Sequence, residues 1–163
     1  MRNLPVGQSL IILAISFLFG FGYNAIRNDH LPLIAVKEII RSEDISDIDS
    51  LLAETTLLTT PMLIDLDLAK KLYDRGVVFV DARDEEEFRE SRIVGALNVS
   101  VVQLTSQVSS NEPVVIYCSG EGCIQSLEMS ENLMLDWNFI KVFVFESGWL
   151  EWEAAGYPTE KDQ

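Results

Sequence analysis

Two cysteines, Cys118 and Cys123, are the side chains of this sequence best suited to covalent chemistry. Cys118 directly follows the apolar run from Val114 to Tyr117, and a helical pattern begins shortly after it, near Gln125. In parallel sheets, functional groups gather at the carboxyl ends of strands, where loops lead into helix N-termini. The N–H groups of such a loop and the helix dipole favour a thiolate. The position therefore predicts a nucleophile at Cys118, and the alternative is an inert buried cysteine.

The loop after Cys118 is glycine-containing and net acidic. It consists of Ser119, Gly120, Glu121, Gly122, Cys123 and Ile124. Its two glycines can adopt backbone angles that other residues resist, so the sulfurs of the two cysteines can approach each other. We predict that they can form a reversible disulfide, which would protect and switch the nucleophile. The alternative is that Cys123 only fills a small apolar space beneath the loop.

Other uses of cysteine are poorly supported. Two cysteines five positions apart cannot staple distant parts of the chain, so a disulfide scaffold is excluded. A closed zinc site needs four ligands, and the only histidine, His30, is far away in sequence and is expected to be a solvated linker residue. We therefore predict neither a metal nor a cofactor.

Short apolar runs alternate with amphipathic helices after Pro61. The predicted strands are Val77 to Val80, Val114 to Tyr117 and Val142 to Phe145. Asp65 or Asp67 can cap a helix that Gly76 terminates, and Asp84 opens a short second helix. Strands that alternate with helices predict an α/β domain with a parallel central sheet flanked by helices.

Four segments, in order, resemble the rhodanese-like domain family. They are Val80 to Asp84 with Glu87-Phe88, Ile93 to Val99, Val115 to Cys118, and Glu146 to Trp152 with Ala155 to Pro158. The resemblance runs from about Ile64 to Pro158. It implies a rhodanese fold and a persulfide mechanism, in which Cys118 takes a sulfane sulfur from a donor and passes it to a thiol or cyanide. Asp81 and Arg83 are then expected to form a structural ion pair, the alternative being substrate ligands.

The sequence also departs from the common pattern of active rhodaneses. Glu121 and Cys123 stand where many of them have glycine and a basic or hydroxyl residue, so the acidic loop should bind thiosulfate, a dianion, weakly. Arg92 replaces a usual histidine and could restore positive charge at the rim, the alternative being a structural role. Related phosphatases have an arginine at the position of Ile124, so phosphatase activity is not expected. A subset of rhodanese-like domains resembles this loop, with a second cysteine at Cys123 and a serine at Ser126.

The N-terminal sequence is typical of a membrane anchor. No charged side chain occurs from Leu4 to Ile26, and a helix of about 20 apolar residues spans a bilayer core. A cleaved signal peptide is the alternative, although Tyr23-Asn24-Ala25 matches a cleavage site poorly. We predict an N-terminal tail and transmembrane helix over residues 1–27, a linker over 28–62 and the rhodanese-like domain over 63–160, the domain facing the periplasm or cell exterior.

The formal charge of −14 makes nucleic acid an unexpected partner, because an acidic protein repels phosphate backbones.

The sequence leads to three hypotheses about the function of the protein. The first is a membrane-tethered sulfurtransferase or persulfide carrier, with a small sulfane-sulfur donor and a thiol acceptor, which can be a partner protein's thiol. The second is a thiol-disulfide redox module in which Cys118 and Cys123 cycle. The third is a catalytically inactive rhodanese fold used for protein binding.

Overall fold

The computed structural model describes residues 10–17, 39–45, 47–53 and 60–162. The chain divides into two compact units, Met1–Lys37 and Glu38–Gln163. In the first unit, residues 10–17 are helical and their side chains are exposed. The predicted anchor, Leu4 to Ile26, extends past both ends of this stretch, and its remaining residues lie outside the described part of the chain, as does His30. Across the described ranges, no helix has the length and apolar character needed to cross a membrane.

The second unit is built on a five-stranded parallel sheet. Its strands are β1 (Ile39–Ile40), β2 (Met62–Ile64), β3 (Val78–Asp81), β5 (Val114–Tyr117) and β6 (Val142–Phe145). Their spatial order is β1-β2-β6-β5-β3, and all neighbours run parallel. A small antiparallel sheet pairs β4 (Arg92–Ile93) with β7 (Thr159–Glu160). β5 therefore lies inside the main sheet, between β3 and β6.

Six helices of the second unit connect or cover these strands in the described ranges. They are α1 (Ile48–Ala53), α2 (Leu66–Asp74), α3 (Glu85–Glu90), α4 (Val101–Thr105), α5 (Ile124–Trp137) and α6 (Gly148–Ala154). Asp65 caps α2 by accepting from the Leu68 N–H, and Asp84 caps α3 in the same way. Gly76 follows α2 with a φ of +76°, a backbone angle that favours glycine.

The two faces of the sheet are both covered. Val115 and Tyr117 belong to a buried cluster that includes residues of α2 and α6, whereas Val114 and Ile116 belong to a second cluster with residues of α4 and α5. Successive residues of a strand point to opposite faces, so this division places helices on both sides of β5. The predicted parallel sheet flanked by helices is confirmed.

Residues ahead of the predicted boundary at residue 63 pair and pack with the residues that follow it. Ile39 and Ile40 form the edge strand β1, which pairs with β2, and the compact unit starts at Glu38. Leu51 and Leu52 of α1 pack against the buried cluster of α2 and α6. These apolar residues of the predicted linker therefore pack against residues of the predicted domain.

Candidate active site

Cys118 stands at the carboxyl end of the central strand β5. Its neighbour Tyr117 pairs with Asp81 at the end of β3 and with Phe145 at the end of β6. The side chain of Cys118 is 3% exposed, so it lies beneath the surface of the loop that follows. The all-buried run from Val114 to Tyr117 explains this placement, since a strand covered on both faces ends where the sheet meets the loop.

Cys118 and Cys123 are joined by a disulfide in this structure, with Cα atoms 6.1 Å apart. The turn between them is closed by a hydrogen bond of 3.2 Å from the Cys123 N–H to the Gly120 carbonyl. Gly122 has a φ of +80°, in the region that favours glycine. The close approach of the two sulfurs agrees with the pairing predicted from the glycines of the loop, while its reversibility stays a prediction.

Helix α6 holds the start of the loop through its first N–H groups. The Trp149 N–H donates to the Cys118 carbonyl at 2.8 Å, and the Leu150 N–H donates to the Ser119 carbonyl at 3.0 Å. Gly148 has a φ of +58°, and a Cβ atom there would overlap the Cys118 carbonyl oxygen. Only glycine fits at this position, because a side chain would push α6 away from the cysteine.

Helix α5 holds the other end of the loop. Cys123 is its N-cap residue, and the Ser126 hydroxyl donates to the Cys123 carbonyl at 3.4 Å. Gln125 Oε1 lies 2.9 Å from Cys123 Sγ and 4.0 Å from Cys118 Sγ. The N-terminus of a helix of 14 residues therefore begins next to the disulfide, and its positive potential favours a thiolate there once the disulfide is reduced.

Asp81 and Arg83 form a buried ion pair beside the loop. The shortest contact, from Arg83 Nη2 to Asp81 Oδ2, is 2.7 Å, and the two side chains are 4% and 0% exposed. The guanidinium also stacks over the Trp149 ring at 5.0 Å and donates to the Ser91 carbonyl. Arg83 thus has the geometry of a structural ion pair, as predicted, and it supports the helix that contacts Cys118.

A polar connection links this ion pair to the loop itself. Glu87 Oε1 lies 3.9 Å from Arg83 Nη1 and accepts a hydrogen bond of 3.2 Å from the Ser119 hydroxyl. The first loop residue is therefore tied to the ion pair through one carboxylate.

The surroundings of Arg83 and Tyr117 shift the pKa of each group upward. Burial lowers the pKa of Arg83, but the hydrogen bond and charge of Asp81 outweigh it, so the pKa of Arg83 lies above its ordinary value. Burial, together with the charge of Asp81, raises the pKa of Tyr117. Arg83 therefore stays charged and Tyr117 stays neutral across the physiological range.

Arg92 lies in β4 and its charge is already neutralised. Its guanidinium contacts Glu160 Oε1 at 3.1 Å and Asp162 Oδ1 at 2.8 Å, and it stacks on the Phe88 ring at 4.5 Å. Burial lowers the pKa of Arg92, but hydrogen bonds to Asp162 and Glu160 raise it more, so the net shift is upward. Of the two roles considered for Arg92, the contacts fit the structural one, since two carboxylates offset the charge that a rim role needs.

A polar cavity of about 580 Å³ is lined in part by Gln125, whose Oε1 atom contacts Cys123 Sγ, whereas neither cysteine lines it. Its lining includes Asn98, Ser100, Gln103 and Met129 in addition to Gln125. This volume lies in the range of cavities that accept small molecules. The cavity can therefore hold a small molecule beside Gln125.

Several contacts of the site could not be predicted from the sequence. Gly148 lies within the motif from Glu146 to Trp152, but its contact with Cys118 exists because β6, the strand before it, pairs with β5. Gln125 is a polar residue in the first turn of a helix, where an ordinary surface position is the default interpretation. The remaining loop residues, Glu121 and Ile124, have exposed side chains.

The fold and the site define an α/β domain with a cysteine loop at the end of a central strand. The sequence pattern of the rhodanese-like domain matches residues 65–155, which is more than half of the chain. The chain therefore belongs to the rhodanese-like domain family, as its motifs predicted.

The chain is similar to proteins with several different names. The thiosulfate sulfurtransferase GlpE of Coxiella burnetii is 29% identical over 96 residues, which are 57% of this chain and 83% of that protein. An HTH-type transcriptional regulator of Mycobacterium tuberculosis is 22% identical over 142 residues, which cover 85% of this chain but only 62% of the regulator. The crystal structure of the BH2092 protein from Bacillus halodurans matches with a TM-score of 0.53 and 19% identity over 63% of this chain and 77% of that chain. The structural match supports the fold alone.

Proposed function

We propose that the protein is a sulfurtransferase or persulfide carrier whose nucleophile is Cys118. The observation that carries this proposal is the position of Cys118 in a rhodanese-like domain, at the end of β5 and beside the N-terminus of α5. The helix N-terminus favours a thiolate, and the same potential favours the anionic persulfide that follows.

The transfer has two steps that balance without net oxidation. The Cys118 thiolate attacks the sulfane sulfur of a small donor, the bond from that sulfur to the rest of the donor breaks, and the donor leaves with the electron pair. A thiol acceptor, free or on a partner protein, or cyanide then attacks the outer sulfur and restores the Cys118 thiolate. Neither step needs a metal or cofactor.

The disulfide must be reduced before this chemistry can begin. Cys118 cannot form a thiolate while it is bonded to Cys123.

The same disulfide bond favours a second candidate function, a thiol-disulfide redox module in which the two cysteines cycle without taking up sulfur. The two functions differ in whether the reduced protein forms a sulfur adduct.

We expect the reduced full chain to form thiocyanate from thiosulfate and cyanide faster than the uncatalysed reaction, and the disulfide form to do so only at the uncatalysed rate. Thiocyanate assays on protein with and without prior reduction check this. Uncatalysed rates for the reduced chain and also for Cys123→Ser, which keeps Cys118 but cannot form the disulfide, would favour the redox module if the wild type still shows normal dithiol-disulfide cycling.

The charge around the site argues for a donor other than thiosulfate in the cell. Between Arg92 and Lys161 the only basic residue is Lys141, which is buried and donates to the Leu52 carbonyl. A dianion therefore has no exposed cation from this long segment to bind it, and Glu121 repels it. Arg83 and Arg89 line the neighbouring cavity, but each is already paired with a carboxylate. We expect thiosulfate to serve only at high concentration and the natural partner to be a less charged sulfane-sulfur compound or a protein thiol.

We also propose that residues 4–26 tether the domain to a membrane, with the domain on the periplasmic or outer side. The uncharged run from Leu4 to Ile26 supports this, because its length matches a bilayer core. Membranes containing the full chain should retain it during carbonate extraction, and the isolated chain should keep its N-terminus. A mature chain that starts near Ile26 would contradict the tether.

A further inference from the structure

A persulfide carrier needs only one cysteine, so the second cysteine of the loop has no role in the transfer described above. Cys123 is nevertheless bonded to the proposed nucleophile and placed at the N-cap of α5. We propose that Cys123 is a resolving cysteine, which attacks the Cys118 persulfide and releases its outer sulfur as sulfide. This inference rests on the proposed persulfide at Cys118 and adds a sulfide-forming activity to it.

The structure keeps the two sulfurs within reach by anchoring both ends of the loop. Cys118 is held by β5 and by the Trp149 N–H, while Cys123 is held by its own N–H bond to Gly120 and by the Ser126 hydroxyl. Neither anchor depends on the bond between the sulfurs, so the sulfurs are expected to stay close after reduction. Such positioning gives an intramolecular attack a high effective concentration compared with free thiols.

Gln125 provides a hydrogen-bond acceptor at the attacking sulfur. Its Oε1 atom lies 2.9 Å from Cys123 Sγ and farther, at 4.0 Å, from Cys118 Sγ. In the dithiol form, this oxygen can accept the S–H of Cys123 and orient that sulfur toward Cys118. Deprotonation of Cys123 breaks this bond, and the N-terminus of α5, where Cys123 stands, favours the thiolate that results.

The release step follows from which sulfur Cys123 can reach. In this structure Cys123 Sγ is bonded to Cys118 Sγ, which is the inner sulfur of a Cys118 persulfide. Attack by the Cys123 thiolate at this atom forms the Cys118–Cys123 bond and breaks the bond to the outer sulfur. The outer sulfur leaves as hydrosulfide with the electron pair and takes a proton from solvent. The two cysteines are oxidised together, and the sulfane sulfur is reduced.

A protein or small-molecule dithiol then has to regenerate the site. Cys118 is 3% exposed, whereas Cys123 is only half-buried, so an incoming thiolate reaches Cys123 Sγ more easily. Its attack releases Cys118 as a thiolate and leaves a mixed disulfide on Cys123, which the second thiol of the reductant resolves. Over one cycle, a donor persulfide and a dithiol become a donor thiolate, hydrogen sulfide and an oxidised dithiol.

A single-turnover experiment with thiosulfate tests this, because loading releases sulfite and resolution releases sulfide. The reduced full chain is freed of reductant, mixed with concentrated thiosulfate, and quenched with bromobimane to quantify both products. The wild type should release about one sulfide per chain and end as the disulfide. The matched variant Cys123→Ser should release sulfite without sulfide and keep the persulfide on Cys118. Cys123→Ala repeats the comparison with a side chain that cannot donate a hydrogen bond.

The site of each modification can be read after digestion with a protease that cuts after glutamate, since Glu121 separates the two cysteines. A wild-type chain that keeps a stable Cys118 persulfide and releases no sulfide would overturn the resolving role and leave sulfur transfer intact. Sulfur found on Cys123 would also overturn it, because attack would then occur at the outer sulfur. If Cys123→Ser takes up no sulfur at all, the proposed sulfurtransferase function fails and the resolving role fails with it.

Discussion

Replacing Cys118 with serine is expected to reduce thiocyanate formation by the reduced protein to the uncatalysed rate. A serine hydroxyl at this position is far less nucleophilic than a thiolate, and no other cysteine occupies the end of β5. The substitution removes one buried sulfur and keeps the size of the side chain, so the fold should survive. Thiosulfate and cyanide provide the assay, with circular dichroism to check the fold.

The neighbouring substitution Cys123→Ser serves as the control for Cys118→Ser. It alters the same loop and also removes the disulfide, but it leaves the proposed nucleophile in place. We expect it to form thiocyanate without prior reduction, because no bond then blocks Cys118. Retention of the full rate by Cys118→Ser would show that the nucleophile lies elsewhere.

Replacing Arg83 with methionine is expected to lower the free energy of unfolding of residues 38–163 by about 3–5 kcal/mol. Methionine fills a similar volume but leaves Asp81 buried without its cation, and both side chains are almost fully excluded from solvent. The change also removes the stacking contact with Trp149, whose N–H holds the Cys118 carbonyl. Urea denaturation measures the loss, and thiocyanate formation by the remaining folded protein reports the effect on the loop.

Arg89→Met is the matched control for the buried arginine. Arg89 pairs with Glu85 one helical turn away, but both side chains are more than half exposed, so its loss should cost only about 0.3–0.5 kcal/mol. The double variant Asp81→Asn with Arg83→Met should recover part of the stability, because it also removes the buried carboxylate that has lost its cation. A cost for Arg83→Met as small as that for Arg89→Met would contradict the structural role of the ion pair.

The parts of the fold that the sequence predicted are those with strong local signals. The strands from Val114 to Tyr117 and from Val142 to Phe145 match β5 and β6, because four consecutive apolar residues are typical of a strand buried on both faces. Asp65 and Asp84 marked the starts of α2 and α3 because their side chains cap the first turn. These signals depend on neighbours in the chain, so they can be read without the tertiary structure.

The parts that were missed depend on contacts between distant segments. The strands β1, β4 and β7 have two residues each, too few to show an alternating pattern, and they form because a partner strand is already in place. The pairing of β1 with β2, ahead of residue 63, was not predicted for the same reason. In the site, the cysteine loop and the Asp81–Arg83 pair were predicted, since both are local in sequence. The contact of Gly148 with Cys118 and the position of Gln125 beside both sulfurs could be seen only once the helices were placed.

The location of the transferred sulfur tests the central claim most directly. Reduced Cys123→Ser and reduced Cys118→Ser are treated with thiosulfate in the absence of any acceptor, and their masses are measured intact and after cleavage at Glu121. If Cys118 is the carrier, Cys123→Ser gains one sulfur atom on the fragment that ends at Glu121, and Cys118→Ser gains none. Equal uptake by the two variants, or uptake by Cys118→Ser alone, would contradict the assignment of the sulfur chemistry to Cys118.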